Sequence, residues 1–123
     1  MPMNGRRKSP RYHCRGTASI QVLPENPENR FPARILSLSQ SGCLMVLRQP
    51  IPELSLDQVI ELLFEVKGLP FRLRARAKSF CPHHTVGFEF LDVSARKRGQ
   101  LEDLIEELAR ESSYIDRRAG ERH

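Results

Sequence analysis

Between Phe71 and Lys78 the chain alternates without exception: Phe71, Leu73, Ala75 and Ala77 are apolar, and Arg72, Arg74, Arg76 and Lys78 stand between and after them. Wound into a helix of about 3.6 residues per turn, this set would scatter its cations around the whole circumference; extended with period two, it puts the cations on one face and the apolar side chains on the other. The segment therefore reads as a strand with one face in a core and the other presenting a ladder of positive charge.

The same period recurs on either side. Ala18, Ile20 and Val22 share one face of Thr17–Leu23, and Phe31–Leu38 and Cys43–Leu47 flank a turn cluster, Ser39-Gln40-Ser41-Gly42. Ile60, Leu62, Phe64 and Val66 alternate within Gln58–Val66 before a turn at Lys67-Gly68-Leu69-Pro70. Val86, Phe88 and Phe90 do the same within Thr85–Leu91, after a turn at Pro82-His83-His84. Pro24, Pro27, Pro50 and Pro52 sit between these runs, where they interrupt strands rather than occupy them. From Ser94 the period lengthens: Leu101, Leu104, Ile105 and Leu108 recur at helical spacing, with Ser94 placed to cap the helix.

Six short strands followed by one helix predict an all-β fold with one C-terminal helix. The expected architecture is a six-stranded antiparallel β-barrel, because closure removes the edges that such strands would otherwise expose. No strand-helix-strand unit is present, which excludes dinucleotide-binding and phosphate-loop folds of that kind. At 123 residues one core is affordable and two are not. The expected organisation is a flexible basic arm at 1–16, the barrel with its helix at 17–110, and a disordered tail at 111–123 that lacks periodicity.

Charge directs attention to the arm. The chain carries a formal net charge of +5, and five basic side chains (Arg6, Arg7, Lys8, Arg11, Arg15) fall in residues 1–24 without a single acid. Such a concentration predicts an anionic partner. No apolar run approaches the ~18 residues of a membrane span, and no apolar segment follows the basic start as in a secretory signal. Three cysteines, Cys14, Cys43 and Cys81, are odd in number and widely spaced, which predicts free thiols and a cytoplasmic location. No nucleophile elbow or paired carboxylates point to catalysis, so no enzyme activity is expected. Cys81-x-His83-His84 falls short of a four-ligand zinc site, with His13 and Cys14 on the arm, so neither metal nor cofactor is expected.

Two motifs carry a resemblance. Arg7-x-x-x-Arg11 before the first strand and Ser39-x-x-Gly42 after the second, with Val86-Gly87-Phe88-Glu89-Phe90-Leu91-Asp92 running into a helix, resemble PilZ domains over residues 6–110. The resemblance implies a barrel of the split-barrel type and recognition of cyclic di-GMP. It further implies a receptor that relays the level of this second messenger to an effector protein controlling motility, adhesion or exopolysaccharide. Arg6, Arg7 and Arg11 are the expected grips, since a guanidinium fork suits a phosphate or the O6 and N7 of guanine. Ser39 offers a hydroxyl, Gly42 a positive φ or a close backbone approach, and Phe80 either a ring for a purine to stack on or a cap on the core. The chain departs from the family's pattern at Ser37, where Asp or Asn is usual. A lost hydrogen bond to a charged group costs about 1.5–3 kcal/mol, so an adaptor that works through protein contacts without ligand is the alternative reading. A nucleic-acid-binding barrel using the Arg72–Lys78 ladder is a third, against which stand an aromatic content of 7% and the absence of tryptophan. On the plainer readings the arm is a solvated segment, the turn an ordinary hairpin and the ladder a solvated face.

Overall fold

The computed structural model describes residues 10–121, with side chains to residue 112. Its strands are β1 (Tyr12–Val22), β2 (Arg30–Leu38), β3 (Gly42–Leu47), β4 (Val59–Val66), β5 (Leu69–Cys81) and β6 (Thr85–Leu91), followed by helix α1 (Ala95–Glu121). Each strand lies antiparallel between two neighbours in the order β1-β2-β3-β6-β5-β4, and β4 returns to β1 to close the barrel. The alternation is realised as predicted. Phe71, Leu73, Ala75 and Ala77 are buried with Ile20, Ile35, Met45, Leu62 and Val86, each large side chain contributing about 1.5–3 kcal/mol. Phe64 stacks between Phe71 and Phe90, with ring centroids 5.2 and 6.2 Å away.

Local chemistry sets the connections. Lys67 and Gly68 both have positive φ, 53° and 78°, and join Val66 to its partner Leu69, the two-residue turn whose twist matches that of a hairpin. The Ser94 hydroxyl accepts the Lys97 amide at 3.2 Å and caps α1, which buries Leu101, Leu104, Ile105 and Leu108 in the barrel's core.

The structure departs from the sequence reading at both ends. β1 begins at Tyr12, so residues 12–16, assigned to the flexible arm, are strand. Their cations hid an alternation in which half-buried Tyr12, Cys14 and Gly16 interleave with exposed His13, Arg15 and Thr17. The backbone of α1 continues to Glu121, through residues read as tail, because each residue added to an existing helix gains a hydrogen bond and Ala, Arg and Glu favour that state. Arg6 and Arg7 lie outside the described residues.

Closure depends on one small residue. A Cβ on Gly16 would fall 1.9 Å from the Glu65 carbonyl oxygen of β4, so β1 can approach β4 only without a side chain there. Gly16→Ala should lower stability by about 1–3 kcal/mol, as overpacking does. Gly99→Ala in α1, where nothing lies within 4 Å of an added Cβ, should raise it by about 1 kcal/mol. Urea denaturation of the two variants checks both signs.

Candidate ligand site on the outer face of the barrel

The β2–β3 turn is organised from within. Ser39 is buried; its Oγ accepts the amides of Ser41 and Gly42 at 3.2 and 3.1 Å, and its hydroxyl lies 3.2 Å from the Gly42 carbonyl. The Phe90 amide donates to the Ser41 carbonyl at 2.9 Å and ties the turn to β6. The hydroxyl expected to face a ligand is thus engaged in shaping the turn. Gly42 has no positive φ; its smallness serves close approach instead, since an added Cβ would lie 2.1 Å from the Phe88 carbonyl oxygen of β6.

The register brings the arm's end to this turn. Tyr12 pairs with Leu38 and His13 with Ser37, so half-buried Arg11 enters β1 at the level of the turn. A bulge in β2 between Ile35 and Ser37 lets both Ile35 and Leu38 pair with buried inner residues, Met45 and Cys43. Ser37 then falls in another row, His13, Ser37, Leu44, Gly87 and Ser79, that runs across β1, β2, β3, β6 and β5. It is only 4% exposed, and its Oγ has no hydrogen-bond partner among the described residues. A buried hydroxyl left in that state costs about 1–3 kcal/mol.

Ser37 lines a groove of about 1060 Å³ bounded by His13–Thr17 of β1, Arg34–Ser37 of β2, Leu44, Val66, Lys67, and Leu108 and Glu111 of α1. Its cations differ in availability. Lys67 is hydrogen-bonded to Glu111, which raises its pKa, and lies 3.9 Å from Glu107. Arg15 and Arg34 are exposed and form no ion pair among the described residues. Cys14 lines the same groove, and burial pushes its pKa up to about 11.

Of the residues singled out in the sequence, Ser37 lines the groove, while Arg11, Ser39 and Gly42 cluster at the turn beyond it. Phe80 follows a bulge in β5 and is 50% exposed at its pairing with Val86, so it does not cap the core. Arg34 and Lys67, which line the groove, were not singled out in the sequence, while Arg15 was counted only among the cations of the arm and His13 weighed only as a metal ligand. The available signal was a cation at an outward position of each strand, Arg15 in β1 and Arg34 in β2. The Arg72–Lys78 ladder is partly neutralised: Arg72 bonds Glu61 at 2.8 Å and Glu25 at 3.0 Å, which raises its pKa, and Lys78 bonds Asp57 at 3.1 Å. Among the described residues no three metal-ligating side chains cluster, and no helix is long and apolar enough to cross a membrane.

A closed barrel with a packed interior, an external cation-flanked groove and an arginine, Arg11, entering beside a Ser-Gly turn defines a class of small barrel domains that present their outer surface. The chain belongs to the PilZ domain family, which matches residues 5–107. It resembles Escherichia coli YcgR in complex with c-di-GMP (TM-score 0.74, 19% identity), covering 93% of this chain and 50% of that one. It is also similar to the isolated PilZ domain of YcgR with c-di-GMP (0.70, 20%, covering 90% and 97%) and to the Klebsiella pneumoniae MrkH–c-di-GMP complex (0.73, 14%, covering 88% and 53%). The chain thus spans about half the length of the YcgR and MrkH chains in those two complexes. No curated protein matches it in sequence.

The three thiols should behave differently. Cys81 is exposed, Cys43 is fully buried with its pKa raised chiefly by desolvation, and Cys14 is half-buried. A thiol titration of the native protein at pH 8 should label Cys81 first, with Cys14 and Cys43 reacting fully only after denaturation. Because the folded pKa values of Cys14 and Cys43 exceed the ordinary 9.0, their contribution to stability is intact below pH 9 and is lost as pH rises beyond it. Cys43→Ala should flatten that alkaline fall in a urea-denaturation series.

Proposed function

We propose that this domain is a receptor for cyclic di-GMP that binds on the outer face of the barrel and transmits occupancy to a partner protein, without catalysing a reaction. The observation that carries the reading is the convergence of Arg11, the Ser39-x-x-Gly42 turn and Ser37 at one end of the β1–β2–β3 face, beside an open groove. Membership of the PilZ family and likeness to structures holding c-di-GMP support the choice of ligand.

In this reading Arg7 and Arg11 grip phosphate or guanine edges through their planar forks, and Arg6 adds charge. Ser39 and Gly42 act indirectly, by fixing the shape of the turn and the fit of β3 on β6. Ser37 supplies a hydroxyl to the ligand, a shorter group than the Asp or Asn usual there. Phe80 offers an exposed ring on which a base can stack. Occupancy of the outer face changes the surface seen by a partner, a shift of population rather than a new fold. Control of motility, adhesion or exopolysaccharide is the proposed class of output.

Calorimetric titration with cyclic di-GMP, beside cyclic di-AMP and GTP, tests this. Saturable binding that prefers the guanine dinucleotide is expected. Arg7→Ala and Arg11→Ala should each weaken it about 10-fold to 150-fold with the melting transition unchanged, and Ser37→Asp should tighten it. Absence of binding at high micromolar ligand would overturn the receptor reading in favour of an adaptor that works through protein contacts alone.

A further inference from the structure

The groove extends well past the residues that the motifs contribute. From Ser37 to Arg34 along β2 is about 10 Å at ~3.3 Å per residue, and the far part is bounded by Arg15, Arg34, Val66 and Lys67. A cyclic dinucleotide carries two phosphates on opposite sides of its ring, and Arg11 enters β1 toward one end of the groove, beside the Ser39 turn. A second anionic group reaching the other end meets three cations. Lys67 is already held by Glu111 and Glu107. Arg15 and Arg34 are exposed, free of ion pairs among the described residues, and carried on adjacent paired strands.

We infer that Arg15 and Arg34 are a second anion-gripping pair of this groove, which takes the phosphate of the ligand remote from Arg11. This inference rests on the receptor reading and deepens it. Three observations point the same way. The two arginines line a concave surface of about 1060 Å³, at the top of the range of small-molecule sites. Ser37, within the same groove, keeps a buried Oγ without a hydrogen-bond partner among the described residues, an oxygen that a bound polar group can satisfy. Both arginines stand on strands of a closed barrel, so their backbone positions are fixed before the ligand arrives and only the side chains have to be ordered. A grip at this end also offsets the weaker hydrogen bonding of Ser37 at the other.

The test is calorimetric titration of the full chain with cyclic di-GMP. Arg15→Ala and Arg34→Ala should each weaken binding about 10-fold or more, the double variant further still, and Arg34→Lys should recover only part of the loss because it restores the charge without the fork. Arg48→Ala removes an equal, exposed charge on β3's outgoing side, outside this groove, and should change affinity less than about 2-fold. If Arg34→Ala and Arg48→Ala weaken binding equally, the effect is one of net charge and the assignment is overturned. If wild type binds and Arg11→Ala abolishes binding while Arg15→Ala and Arg34→Ala do not reduce it, the second grip is overturned and the receptor reading stands. If wild type does not bind at all, both fall together.

Discussion

The pairing of β1 with both β2 and β4 is the constraint on which everything else rests. It turns a six-stranded ribbon into a barrel, satisfies the backbone groups that two open edges would leave bare, and encloses the inward face of every strand. That pairing passes through a contact which tolerates no Cβ, where Gly16 meets the carbonyl of Glu65. Helix α1 completes the enclosure by inserting its apolar stripe into the same core. With the interior filled by side chains, the only surface left for recognition is the outside.

On that outside the bulges do the positioning. A strand without irregularity would carry a single alternation from end to end, and Ser37 could not share a row with Leu44 while Ile35 and Leu38 both met inner partners. The bulge between Ile35 and Ser37 moves one side chain out of the inner set, and that side chain carries a hydroxyl without a hydrogen-bond partner among the described residues. The turn that follows is then stiffened by Ser39, whose Oγ gathers two amides. A motif serine can therefore matter to a ligand through the shape it imposes on the chain. The Lys67–Glu111 contact adds a second consequence: it ties α1 to one wall of the groove and leaves Arg15 and Arg34 as its uncommitted cations.

Much of the fold was legible in the sequence because its signals are local. The limits of β6, the Ser94 cap and the turn at Lys67-Gly68 depend on residues a few positions apart, and the structure reproduces them. The start of β1 was not legible, because the alternation there is carried by Tyr, Cys and Gly against His, Arg and Thr, and a dense run of charge resembles a solvated arm. The role of Gly42 was half legible: smallness was foreseen, but the neighbour that demands it is β6, 46 positions on to Phe88. Arg15 was read as one more cation of the arm and Arg34 was not singled out, because their proximity shows only when β1 and β2 are laid side by side.

What the sequence by itself determined is the period of each segment, the turns between them and the balance of charge, which together limit the chain to a small antiparallel barrel with a helix and a net positive charge. Period two separates two faces of a strand but says nothing about which strands are neighbours, nor in what register. Only the tertiary structure decided that β1 lies between β2 and β4 and that Arg11 enters beside the Ser39 turn. It likewise decided that His13, Ser37 and Leu44 form one row beside Arg15 and Arg34. Those relations arise from hydrogen bonds and close approaches between residues far apart in the chain, and a groove is a property of such relations rather than of any one segment.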